Sequence, residues 1–327
     1  MDLYNYVPEN KFSQKHLLTL QDYTADEIYQ ILHLALVLKS KQKKGIPHPI
    51  LHGKTLGMIF SKPSTRTRVS FEVGIQQLGG YGLFLNSQDI QLGRGETIQD
   101  TARVLSRYLD GIMIRTYAQQ DVEDLARYGS IPVINGLTDL FHPCQILADI
   151  LTIYEAKGKL KGLKLAYVGD GNNVSHSLLI GCTKVGMDIS IASPEGYEPK
   201  PGIVDLSLKN SSLSGSKVEI TNDPEVAVKD ADVVYTDVWA SMGQEKEAAE
   251  RRKIFAPYQV NTKLMSLAHQ DAIFLHCLPA HRGEEVSADV IDGPKSLVFE
   301  EAENRLHVQK AVMALLMGGN IKTLKGD

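Results

Sequence analysis

The feature that most constrains this chain is a regular alternation of short β-rich runs with segments of helical period, arranged in two consecutive series. The first series contains TLGMIF (55–60), YGLFLN (81–86), GIMIRT (111–116) and IPVINGL (131–137). The second contains LKLAYVGD (163–170), DISIAS (188–193), KVEIT (217–221), VVYTDVW (233–239) and AIFLHCL (272–278). Parallel strands need a crossover between them, and a helix is the usual one, so strand–helix alternation implies βαβ units. The pattern predicts two doubly wound, mainly parallel α/β domains, and 327 residues suffice for two cores of ordinary size. HPCQILADILTIYEAKG (142–158) falls between the series and is expected to bridge the domains. The amphipathic closing segment, 300–319, is expected to return to the first, giving boundaries of 1–148 plus 305–327 and 149–304. An opening helix should start at Thr24, where Thr24 to Glu27 has the form of a capping box. It should end in KSKQKKG (39–45), read as a solvated terminus.

Composition narrows the classes. Hydrophobic residues make up 43% and charged residues 23%, as in soluble globular proteins. A net charge of −4 argues against a nucleic-acid binder, so any anion site must be local. The first twenty residues lack a long apolar core and no apolar run approaches a membrane span, so neither leader nor membrane anchor is expected. Cys144, Cys182 and Cys277 show no C-x-x-C spacing, which fits a reducing, cytoplasmic setting.

Polar clusters stand at the carboxyl ends of the predicted strands, where open α/β sheets bind ligands. After the first strand comes SKPSTRTRVSFE (61–72), with Ser64 as N-cap and Thr65, Arg66 and Thr67 in the first helical turn. Arginine opposes the helix dipole at that position, unless a bound phosphate reverses the local sign. Solvated arginines on a capped helix are the plainer alternative. Arg115 closes the third run and His142 opens the bridging helix. Asn172 and Asn173 follow AYVGDG, Asp237 closes VVYTD with Ser241-Met242-Gly243 beyond it, and His276-Cys277-Leu278-Pro279 ends AIFLHCLP. Five clusters from two sheets predict an active-site cleft between the domains.

The residue types limit the chemistry. His142 and Gln145 share one face of a helical turn, and an imidazole with a carboxamide can hold a carbonyl oxygen and an amide N–H. GDGNNV (169–174) resembles a dinucleotide turn, but Val174 stands where that motif wants Gly or Ala. Asp237 suits a cationic amine or, alternatively, a helix cap. HCLPAHRGEEV (276–286) admits a zinc site, a cysteine nucleophile or a binding loop. Zinc lacks the usual ligand spacing, and in an extended strand His276 points to the face opposite Cys277 and cannot serve it as base, which favours the binding loop.

Taken together, Ser64-Thr-Arg-Thr-Arg68, His142-Pro-Cys-Gln145, Asp237 with Ser241-Met-Gly243, and His276-Cys-Leu-Pro279 resemble the ornithine carbamoyltransferases, in family order and from the first helix to the last. The first two motifs are shared with the aspartate carbamoyltransferases and specify only the carbamoyl phosphate half. The resemblance implies that Ser64, Thr65, Arg66 and Thr67 hold the phosphate. Arg115, His142 and Thr67 would then polarise the carbamoyl oxygen, Gln145 and the Leu278 carbonyl would receive the amide, and Arg305 would reach the same substrate. It further implies that Asn173, Asp237, Ser241 and Met242 fix the amino-acid end of L-ornithine and that Cys277 lines the path of its side-chain amine. A cis Leu278–Pro279 bond, no metal or cofactor, and a homotrimer or an assembly of trimers with Gln91 reaching a neighbour's site complete the implication. A nicotinamide dehydrogenase and a non-catalytic binding protein are the competing classes.

Overall fold

The computed structural model describes residues 2–91, 95–240 and 247–318. It divides into two compact units, Met1–Ala148 with Glu303–Asp327 and Asp149–Ala302. Each is built on one all-parallel sheet flanked by helices, as the alternation predicts.

In the first unit β1 (Thr55–Phe60), β2 (Tyr81–Asn86), β3 (Gly111–Arg115) and β4 (Val133–Leu137) form a sheet of order β2-β1-β3-β4. The inner strands β1 and β3 are almost wholly buried, whereas the edge strand β2 alternates with exposure. Ile59, Ile112, Ile114 and Val133 pack with Val122 and Leu125 of the Gln119–Tyr128 helix. After β1 the chain steps outward to β2, then returns to place β3 on the other side of β1. The strand order therefore reverses between β1 and β3, and Ser61 N–H, just past β1, donates to the Arg115 carbonyl at 2.8 Å.

The opening helix spans Ala25–Lys43, and its capping box is present: Thr24 Oγ1 accepts from Glu27 N at 3.1 Å while Glu27 Oε2 accepts from Thr24 N at 3.0 Å. One lysine of the terminal run departs from expectation. Lys39 is buried and donates to Asn304 Oδ1 at 2.7 Å, while Lys43, one turn later on the same face, is exposed and pairs with Glu303 Oε1 at 3.5 Å.

In the second unit β5 (Lys164–Val168), β6 (Asp188–Ala192), β7 (Val218–Thr221), β8 (Val233–Thr236) and β9 (Ile273–Leu275) take the order β7-β6-β5-β8-β9. The reversal here lies between β5 and β8. Tyr167 and Tyr235 stack at 6.1 Å in the interior, and both hydroxyls are satisfied, by the Asp170 carbonyl at 2.9 Å and Glu301 Oε1 at 3.1 Å. Several strands end earlier than the apolar runs suggest. Asp237, His276, Cys277 and Leu278 lie beyond β8 and β9, where the chain leaves the ladder and side chains become free to serve a site. Among the described residues no helix is long and apolar enough to cross a membrane.

Candidate active site

Ser64–Thr67, Arg115, Asn173 and Asp237 stand at the ends of the strands at which each sheet reverses its order, where neighbouring loops diverge, while His142 follows β4 and Cys277 follows β9. In the first unit Ser64 is the N-cap of the Thr65–Gln77 helix, its hydroxyl accepting from Thr67 N at 3.1 Å. The first turn contains no acidic residue, so the positive end of the helix is not internally compensated. Arg305 is buried and donates Nη1 to Gln145 Oε1 at 2.9 Å and Nη2 to Thr67 Oγ1 at 3.1 Å. One guanidinium thus ties together three helices that begin or pass at this point.

His142 is buried just before the Pro143–Lys157 helix. Burial holds its imidazolium pKa well below the ordinary value, and the charges of Arg305, Arg115 and Arg66 push it further in the same direction. The positive charges that act on this imidazole are a local excess in a chain whose net charge is −4. Such a local excess is suited to a phosphate or an oxyanion. Cys144 is buried, and burial raises its thiol to about 12, in keeping with a packing role. Gln91 is exposed and lines a shallow cavity of about 140 Å³ with Leu85, Ile90 and Val104.

The second unit gathers the other set. Asp237 is buried; its Oδ2 accepts from Asn172 Nδ2 at 2.7 Å and its Oδ1 from Cys277 Sγ at 3.1 Å. The carboxylate is engaged by these two side chains and caps no helix among the described residues. Burial first, and Asp237 second, drive the Cys277 thiol well above its usual range, so the sulfur donates a proton and is no thiolate nucleophile. The Leu278–Pro279 bond is cis, as the resemblance implies, and Leu278 takes a positive φ of 54°. Its N–H donates to His276 Nδ1 at 2.9 Å, which leaves His276 Nε2 to donate to Glu285 Oε1 at 3.2 Å. Asp237, His276 and Cys277 place one donor atom each within 4.8 Å of one another. Both ring nitrogens of His276 are nevertheless engaged and the thiol is protonated, so the trio is poorly disposed to take a metal.

Asn173 is half-buried at the first position of the Asn173–Val185 helix, whereas the residue that reaches Asp237 is its neighbour Asn172. Asn172 is also the N-cap, with Oδ1 accepting from Val174 N and Ser175 N. Those N–H groups are the ones a dinucleotide turn would offer to a pyrophosphate. A Cβ on Gly171 would meet the Glu198 backbone at 2.2 Å, so this glycine admits the chain itself and not a ligand. Sequence reasoning did not find Asp170 and Arg251, which pair at 2.7 Å behind Asn172. No local motif marks a pair separated by that much chain. Ser241 and Met242 lie outside the described residues.

Known proteins resemble the chain along nearly all of it. The carbamoyl-P binding domain of aspartate/ornithine carbamoyltransferase matches residues 15–155, and the Asp/Orn binding domain of the same family matches 161–316. The ornithine carbamoyltransferase of Thermococcus kodakarensis is 64% identical over 305 residues, covering 93% of this chain and 97% of that protein. The ornithine carbamoyltransferase of Pyrococcus furiosus, described as anabolic, is 63% identical over 305 residues, with 93% and 97% covered. A solved structure of the Pyrococcus furiosus protein superposes with a TM-score of 0.92 at 62% identity, over 95% of this chain and 99% of that one. That of the Gloeobacter violaceus protein gives 0.84 at 48% identity, over 94% and 100%.

Proposed function

We propose that this chain, which belongs to the aspartate/ornithine carbamoyltransferase family, transfers the carbamoyl group of carbamoyl phosphate to the side-chain amine of L-ornithine, giving L-citrulline and phosphate. The observation that carries the reading is the buried Arg305, which joins Gln145 Oε1 to Thr67 Oγ1 at a helix start without acidic residues, in a unit where Arg115 and His142 are buried as well. Ser64, Thr65, Arg66 and Thr67 hold the phosphate at the helix N-terminus. Arg115 and His142 donate to the carbamoyl oxygen, where negative charge grows as the amine attacks and the tetrahedral intermediate forms. Arg305 orients Gln145 and Thr67 as well as contributing charge, and Gln145 with the Leu278 carbonyl receives the carbamoyl amide. The phosphate departs as leaving group and can itself take up the amine proton, so the residues named need supply no strong base.

Ornithine is preferred over aspartate because Asp237 presents a negative charge where aspartate would bring a second carboxylate. Asn173, Asp237, Ser241 and Met242 hold its amino-acid end, and Cys277, bonded to Asp237, lines the path of the reacting amine. A homotrimer, or an assembly of trimers, in which Gln91 reaches a neighbouring chain's site belongs to the same reading. It is supported by the exposure of Val69, Tyr81, Leu83, Val104 and Tyr108 on the first unit. The three thiols, none of them in a disulfide, fit action in the cytoplasm.

The test is a citrulline-type colorimetric assay with carbamoyl phosphate and, in parallel, ornithine, aspartate, putrescine and acetylornithine. Ornithine should be used far faster than the others. Faster turnover with aspartate or putrescine would overturn the assignment.

A further inference from the structure

The loops that bear Asp237 and Asn172 have left the sheet, so no ladder hydrogen bonds hold them to one another. A single buried side chain spans both. Arg251, in the Ala248–Phe255 helix, is 4% exposed. Its Nε donates to the carbonyl of Trp239, two residues after Asp237, and its Nη2 pairs with Asp170 Oδ1 at 2.7 Å, two residues before Asn172. Its guanidinium lies against the rings of Tyr197 at 4.9 Å and Phe255 at 5.1 Å, which fix its plane. From Asp170 the path continues through its own carbonyl, which accepts Asn172 N–H at 2.8 Å, to Asn172 Nδ2 and Asp237 Oδ2 at 2.7 Å. The network closes on itself: Arg251 holds the backbone on one side of Asp237 and the side-chain donor on the other.

We propose that Arg251, acting with Asp170, is a positioning residue that sets the direction of the Asp237 carboxylate and hence the affinity for the cationic amino acid. This inference rests on the functional reading above, in which Asp237 meets ornithine. Burying an ion pair seldom adds net stability over well-packed apolar side chains, whereas this guanidinium holds the Trp239 carbonyl by a directed Nε–H bond and the Asp170 carboxylate by a close charge contact at once. A lysine keeps the charge but cannot direct two donors in the same fixed plane.

The chain has one tryptophan, Trp239, which carries the carbonyl that Arg251 binds and whose ring stacks on Phe255 at 6.1 Å. Its emission therefore reports on this network independently of turnover. Arg251→Lys should shift Trp239 emission in the substrate-free protein and lower kcat/KM for ornithine by about tenfold or more. KM for carbamoyl phosphate should stay within about twofold, because that substrate is held by other residues. Asp170→Asn perturbs the opposite end and should act in the same direction. In Arg251→Ala, guanidinium ion at sub-denaturing concentration should recover part of the ornithine kcat/KM, while having no such effect on Asp237→Ala. The inference is overturned if Arg251→Lys and Asp170→Asn use ornithine as the wild type does. It is equally overturned if the loss falls alike on carbamoyl phosphate and on thermal stability, or if guanidinium rescues nothing. A wild type that forms no citrulline would remove the functional reading and this inference with it; an active wild type matched by both variants would remove the inference alone.

Discussion

Asp237→Asn offers the sharpest test of the ornithine half. The carboxylate accepts from Asn172 Nδ2 at 2.7 Å and from Cys277 Sγ at 3.1 Å, so both oxygens are engaged in the free protein. An asparagine can keep its Oδ1 toward Asn172 and turn its NH₂ toward Cys277 Sγ, which accepts weakly. The cost to folding should therefore be about 1 kcal/mol or less. Binding is affected more, because a charge-assisted hydrogen bond to an ammonium becomes a neutral one. Hydrogen bonds to charged groups exceed neutral ones by about 1–1.5 kcal/mol, which corresponds to a fall of roughly fivefold to tenfold in kcat/KM for ornithine. The assay is steady-state citrulline formation with ornithine varied at saturating carbamoyl phosphate, then the converse, with thermal unfolding in parallel. KM for carbamoyl phosphate should not follow. Asp237→Ala, which also strands Asn172 Nδ2, should unfold at a lower temperature than Asp237→Asn. A variant with kcat/KM for ornithine within about threefold of wild type, or with carbamoyl phosphate KM raised in parallel, would refute the placement of ornithine at Asp237.

Arg66→Ala should chiefly raise KM for carbamoyl phosphate, whereas Arg115→Ala should chiefly lower kcat by about 3–4 kcal/mol, hundreds-fold; near-normal kinetics in both would misplace the first substrate. The rate at subsaturating ornithine should climb from neutral to alkaline pH, because the free amine has a pKa of about 10 and attacks only when neutral, with no added inflection from His142. His142 also affects stability: below about pH 6.5 the unfolded chain protonates this imidazole while the folded one does not, so its contribution, complete above that pH, is lost as pH falls. Melting temperatures measured from pH 7 to pH 5 should therefore drop more steeply in the wild type than in His142→Gln, and parallel curves would count against a buried neutral imidazole. Variants altered at Gln91 and at Arg115, each inactive alone, should regain partial activity when co-refolded into mixed oligomers, and failure in demonstrably mixed oligomers would mean that each chain builds its site alone.

Local sequence determined the elements. The apolar runs specify strands because a parallel strand buried on both faces is apolar along its buried length, as β1 is after Thr55 and β5 after Lys164. Thr24 and Ser64 announce their helices because a cap is a contact across three residues. The arginines of Thr65–Arg68 stood out because they oppose the helix dipole, a local conflict that a ligand would resolve. Tertiary structure alone decided the rest. Nothing in either series of runs states the strand orders β2-β1-β3-β4 and β7-β6-β5-β8-β9, yet those orders put the Ser64 turn beside Arg115, and Asn172 beside Asp237. That Asn172, the neighbour of Asn173, is hydrogen-bonded to Asp237 depended on the geometry of the helix start. Lys39 was hidden in a basic run, and the pairing of Arg251 with Asp170 joined residues with no motif between them. The physical reason is common to all of these: a cap or a strand is settled within a few residues, whereas a buried charge is settled by whichever distant segment supplies its partner.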